Sequence, residues 1–102
     1  MALYRIAKAF RRSRVRFEIF KLLCQAREPM YPMMIARLLG TSYDNVLGAL
    51  RGGRGYRREE SLVALGLVKE ITWGRQKLYQ AEEEQCKYIE EIEKNYYKNF
   101  SF

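Results

Sequence analysis

The sequence predicts a mainly α fold with one small β-hairpin. Three observations predict it. Apolar residues recur at three- and four-residue steps in four segments between residues 2 and 50. Two short strand-like runs, 67–72 and 76–80, flank a Trp73-Gly74-Arg75 turn. A last segment, 81–100, repeats apolar groups with a helical period over a long stretch. The expected organisation is an amphipathic segment at 1–12, a central domain at 13–80 and a C-terminal helix at 81–102.

Leu3, Ile6 and Phe10 fall on one helical face, with Arg5 and Lys8 between them. A helix this short needs a packing partner. Ser13 is the candidate N-cap of the next helix, 14–27, which carries Val15, Ile19, Leu22, Leu23 and Ala26, widened by Phe17 and Phe20. It must stop before Pro29. Pro32 suits the first position of a third helix, with Ile35, Leu38 and Leu39 as its buried stripe and Gly40 as its end. Thr41 is the expected cap of a fourth helix, with Asp44 completing a short capping box. That helix runs through Val46, Ala49 and Leu50 to Gly52-Gly53. Residues 54–60 have no apolar period and read as a loop; 61–66 read as a short helix ended by Gly66. The hairpin must lie against the helices, because a lone hairpin is unstable in water. The final helix starts acidic at Glu82, Glu83 and Glu84, as its dipole favours. Its narrow coiled-coil-like seam is Cys86, Ile89, Ile92, Tyr96 and Phe100.

The 102 residues amount to one domain, and 48% hydrophobic with 30% charged residues is enough for a real core. No run approaches the ~18 apolar residues of a membrane span. The N-terminal segment lacks a long apolar stretch and a small-residue cleavage site, so a secretory signal is not expected and an intracellular protein is. Histidine is absent, which removes His-based triads, His metal ligands and an imidazole switch. Cys24 and Cys86 are too far apart in sequence and too few for a metal site. Each reads as a buried small hydrophobe; an intracellular context argues against a disulfide. No nucleophile–base pair, phosphate loop or paired inward carboxylates can be placed, so no enzyme and no cofactor are expected.

The net charge of +7 points to polyanions, nucleic acid first and an anionic membrane surface second. Its distribution is uneven. Residues 1–27 carry eight bases and one acid, whereas 81–102 carry three bases and six acids. The acidic end should face away from a polyanion or pack on something basic.

The sharpest local signal lies in 35–50. Ala36, Gly40 and Val46 supply a small residue for a close helix crossing, a glycine for the turn, and an apolar plug for the angle between helices. With the Leu65-Gly66-Leu67-Val68 run and the hairpin, this resembles the winged helix-turn-helix family, especially compact archaeal regulators of the ArsR-like and MarR-like type. The resemblance covers 14–80. It implies a winged domain flanked by dimerisation helices, a location in the cytoplasm at the nucleoid, and a homodimeric, sequence-specific regulator of transcription on double-stranded DNA. The fourth helix would enter the major groove through Ser42, Tyr43, Asn45, Leu47, Gly48 and Arg51, with Gly48 allowing close backbone approach. Arg75 and Lys77 would touch backbone or minor groove from the wing. Trp73 either packs beneath the wing or presents its edge at the tip.

One departure is the stretch 51–61 between the fourth helix and the leucine-glycine run. Its Arg54, Arg57 and Arg58 form either a phosphate clamp or an exposed loop. Arg12 and Arg16 contact phosphate, face solvent, or pair with an acidic helix. Leu3, Ile6, Phe10, Cys86, Ile89, Ile92, Tyr96 and Phe100 are the expected dimer interface, because an exposed apolar seam is avoided in soluble monomers. A small effector has no sequence signal. The alternative class is an architectural nucleic-acid binder without sequence preference, or a protein-interaction module.

Overall fold

The structure is a computed structural model, described here for residues 2–95. Five helices and one antiparallel hairpin follow in the order α1 (Ala2–Arg12), α2 (Arg14–Ala26), α3 (Pro32–Leu39), α4 (Tyr43–Arg51), β1 (Val68–Trp73), β2 (Gln76–Ala81) and α5 (Tyr88–Asn95), with 3₁₀ turns at Arg58–Glu60 and Glu83–Gln85. The fold is mainly helical with a small two-stranded sheet, as the periodicities predict.

Each boundary has a local cause. Ser13 caps α2 by accepting from the Arg16 N–H (3.2 Å), as its position predicts. Arg27 ends α2 in the left-handed region (φ +57°), its N–H returning to Leu23. Gly40 ends α3 with φ +66°, the conformation glycine adopts most cheaply. The cap of α4 is Ser42 rather than Thr41: the Ser42 hydroxyl accepts from the Asn45 N–H at 3.0 Å. Asp44 does not complete the cap; it pairs with Arg54 at 3.3 Å.

The core is built around α2. Ile6, Ala7 and Phe10 of α1 meet Phe17, Ile19, Phe20 and Leu23 of α2, and Ile35, Val46, Ala49, Leu50, Leu62, Leu67 and Tyr79 close it from the other side. The Phe10 ring meets Phe17 edge-on at 5.2 Å. Leu38 does not join the α3 stripe; it is 60% exposed, because the buried face of α3 turns through Ile35 and Ala36 instead.

Residues 61–66 form a run of overlapping turns rather than a helix. The N–H groups of Leu62 and Val63 are drawn to the end carbonyls of α4, Ala49 (2.9 Å) and Leu50 (3.1 Å). Those carbonyls lack partners inside α4, so the turn satisfies them. The hairpin pairs Val68 with Ala81 through Trp73 with Gln76, leaving a two-residue Gly74-Arg75 turn. Met30 exchanges two backbone hydrogen bonds with Tyr79, both 2.9 Å, and so adds a one-residue bridge to the outer edge of β2.

The C-terminal region departs most from expectation. The Glu82 N–H bonds to Leu67 at 2.8 Å, which keeps the chain in the sheet past the point where a helix was expected to start. A 3₁₀ turn follows, and α5 begins only at Tyr88. Ile92 is fully buried in the chain's own core, and Lys21 of α2 meets Glu93 at 2.6 Å. The acidic segment thus packs on something basic within the same chain. Cys24 and Cys86 are not free small hydrophobes: they form a disulfide that ties α2 to the segment after β2. The fold brings the two Cα atoms to 5.8 Å, within bonding reach, a proximity that 62 residues of separation conceal.

Candidate functional site

The start of α3, the exposed side of α4 and the hairpin enclose a cleft of about 380 Å³. Tyr31, Pro32 and Met33 form one wall, Tyr43, Leu47 and Arg51 of α4 another, and Arg75, Lys77 and Tyr79 of the hairpin the third. Five residues that the sequence singled out for one surface therefore meet here: Tyr43, Leu47, Arg51, Arg75 and Lys77. Val46, Ala49 and Leu50 on the opposite side of α4 are buried, which fixes the helix's rotation and keeps this side outward.

The cleft has its own electrostatic frame. The Tyr79 hydroxyl donates to Glu70 Oε2 at 2.6 Å, and Lys77 donates to Glu70 Oε1 at 3.2 Å. The Tyr79 bond holds the Glu70 carboxyl below the usual carboxylate range, with Lys77 and Arg51 acting in the same direction. Burial, reinforced by Glu70, pushes the Tyr79 phenol up, so it stays a donor. Arg51 is close enough to act on both groups. Glu70 and Tyr79 escaped the sequence reading, since the β1–β2 register alone sets them opposite each other.

The other side of α4 is covered. Gly48 is buried beneath Tyr56, and a Cβ on Gly48 would run into the ring. The glycine is there for close approach, but of the chain's own loop, which corrects its assignment to a DNA groove. Asn45 is occupied as well: its amide donates to Thr41 Oγ1 (3.1 Å) and its Oδ1 accepts from the Tyr56 hydroxyl (3.5 Å). Ser42 is engaged in capping. The loop is itself built, with Gly53 and Tyr56 exchanging two 3.0 Å backbone bonds. Arg54, held at φ +53°, is exposed and paired to Asp44, and Arg58 is exposed with its backbone against Gly52.

Arg16 is the clearest correction among the basic residues. It is 2% exposed, so it does not stand on the open basic face where the sequence places it, but at the floor of a pocket beside the loop. Its Nη1 donates to the Ala9 carbonyl (3.1 Å) and meets Glu60 Oε1 (3.4 Å), and its guanidinium lies 5.3 Å from the centre of the Tyr56 ring. Burial lowers its pKa while Glu60 opposes the shift. Arg12 pairs with Glu60 at 3.2 Å and remains half exposed. Arg57 stands in the same pocket, at the loop side. Trp73 is 73% exposed beside the hairpin turn, which resolves its two alternatives in favour of the tip.

The expected interface residues divide. Ile6, Phe10 and Ile92 are buried in the chain's own core, and Cys86 is in the disulfide. Leu3 and Ile89 are partly buried against that core. Tyr96 and Phe100 lie outside the described residues. Among the described residues no cluster of His, Cys, Asp or Glu fits a metal, and no helix is long and apolar enough to cross a membrane.

No curated protein and no solved structure matches the chain significantly. A family model does: EarA-like, over residues 6–92. The matched span runs from the core face of α1 to Ile92, the core residue of α5, and takes in the cleft and the loop that covers α4. On that coverage, the chain belongs to the EarA-like family.

Proposed function

We propose that this protein binds double-stranded DNA in a sequence-dependent manner, as a winged helix-turn-helix regulator of transcription. The carrying observation is the cleft, where Tyr43 and Arg51 of α4 and Arg75 and Lys77 of the hairpin open on one surface. In this reading α3 and α4 are the helix-turn-helix, α4 enters the major groove, and the hairpin is the wing. Its cations flank the groove-entering helix as phosphate contacts require. The Met30–Tyr79 bridge supports the reading, because it seats the hairpin against the helices. Arg51 reads a guanine edge or adjoining phosphate, and Tyr43 donates to phosphate. Arg54 and Arg58 add charge near the end of α4.

A homodimer is part of the proposal, because one α4 covers only a half-site. With Ile6, Phe10 and Ile92 buried at home, the dimer contact draws on the parts of Leu3 and Ile89 that the core leaves uncovered. A second reading, a protein-contact module, is favoured by Met34 and Leu38, exposed one turn apart on α3.

Selection of bound sequences from a random duplex pool at physiological salt tests both readings. The expected result is an enriched motif with two-fold symmetry. Binding without enrichment would reduce the proposal to an architectural role, and no binding would favour the protein-contact module.

A further inference from the structure

A second concavity lies where the α1–α2 joint faces the loop at 52–60, away from the cleft residues. It encloses about 290 Å³ and is lined by Arg12, Ser13, Arg16, Tyr56, Arg57 and Glu60 along with Gly55. Three guanidiniums therefore face one carboxylate. Glu60 bonds to Arg12 and Arg16, and Arg57 has no ion pair among the described residues. The Nε of Arg16 is buried and has no hydrogen-bond partner among the described residues. A buried donor left unmet is costly, and native structures leave few of them. Arg12 and Arg57 both act to lower the Arg16 pKa, so the three charges crowd one another. An oxyanion relieves that repulsion and supplies an acceptor.

We propose that this pocket is a binding site for a phosphate-type oxyanion, held by the guanidiniums of Arg12, Arg16 and Arg57. The planar forks of arginine match phosphate geometry, and the site is concave and partly desolvated, where such bonds are strongest. The site communicates with α4. Tyr56 lies over Gly48 and donates to Asn45, while the Arg16 guanidinium faces its ring. An anion on Arg16 and Arg57 fastens the loop in its present place against α4. The phosphate group comes either from a DNA backbone or from a small phosphorylated molecule in solution, and the site's chemistry is the same for both.

The test uses the full chain and inorganic phosphate, titrated against chloride at matched ionic strength and followed by phosphorus NMR. Saturable binding is expected. Arg57→Gln, at an exposed position, should weaken it about tenfold, the loss of one charge-assisted hydrogen bond. Lys8→Gln removes the same charge outside the pocket and should leave it unchanged. A duplex titration over salt then separates the sources. Competition by phosphate, with a log–log salt slope shallower by about 0.9 in Arg57→Gln, assigns the site to DNA backbone. An unchanged slope with phosphate binding intact assigns it to a free anion. The proposal is overturned by no saturable phosphate binding, whatever the duplex slope, or by an equal loss in Lys8→Gln.

Discussion

The two flanks of α4 carry similar residue types under opposite conditions. Toward the cleft, Arg51, Arg75 and Lys77 are exposed, and the carboxylate paired there, Glu70 on Lys77, is itself at the surface, so a ligand can reach all three cations. Toward the loop, Arg16 is buried, bonded to Ala9 and Glu60, and roofed by Tyr56. An arginine that looks like an open surface cation from its position in a basic run is thus tied first to the chain's own groups. The difference teaches that charge density along a chain does not mark a binding surface. Burial and the nearest carboxylate decide which cations stay free, because a desolvated cation requires a partner and a solvated one does not.

The largest effect expected bears on whether the two flanks are independent of the C-terminal tether. Cys86→Ser removes a cross-link of 62-residue separation. Loop-closure entropy puts its contribution at about 4 kcal/mol, seen as a large drop in Tm that reductant reproduces in the unmodified protein. DNA affinity measured well below the new Tm should be unchanged; a parallel loss would mean that the tether shapes the cleft.

Next comes Glu60→Ala, which strips the carboxylate from Arg16. A loss of about 3 kcal/mol is expected in urea unfolding, since it leaves a buried cation unpaired. Arg51→Ala on the other flank should change stability by less than about 0.5 kcal/mol while weakening the selected DNA site more than random duplex. Equal stability losses for the two variants would erase the contrast between the flanks.

Gly48→Ala sharpens it further. The new methyl group forces the Tyr56 ring away, at a cost of about 1–3 kcal/mol. In a Tyr56→Ala background the same change should stabilise by up to about 1 kcal/mol, because alanine is the better helix former once the ring is gone. A cycle without that reversal of sign would show that the ring does not rest on Gly48.

The smallest effect concerns pH. Glu70 has a depressed pKa in the folded state, so its bonds stabilise the fold above the ordinary carboxylate range and are lost as pH falls through the lowered value. Wild type should exceed Glu70→Gln in stability by about 1 kcal/mol near neutrality, a figure reduced for partial exposure, and the gap should close in acid. A gap that does not narrow at all as pH falls through the carboxylate range and below it would assign the effect to shape rather than charge.

Much of the helical framework was legible in local sequence. Ser13 as a cap, Pro32 at a helix start, Gly40 as a stop and the turn at Gly74 act within a few residues, so their neighbours reveal them. The cleft side of α4 was legible too, because Val46, Ala49 and Leu50 orient the helix and leave Tyr43, Leu47 and Arg51 outward. The loop side was not. Tyr56 on Gly48 is a packing contact with no periodic signal, and the Arg16–Glu60 bond joins residues 44 positions apart. The end of the chain was misread for a related reason: an acidic start and an apolar period also fit a long helix, and nothing local announces that the Glu82 amide is held by Leu67.

The sequence by itself determined the start of α2 at Ser13, the ends of α3 at Pro32 and Gly40, the buried face of α4 and that the chain is basic, because capping, backbone preference and side-chain period are properties of neighbours. Only the tertiary structure decided that Ile6, Phe10 and Ile92 belong to the chain's own core, that Cys24 meets Cys86, and that Arg16 is buried while Arg51 is exposed. Those outcomes depend on which distant surfaces exclude water from one another, and that is settled when the elements pack.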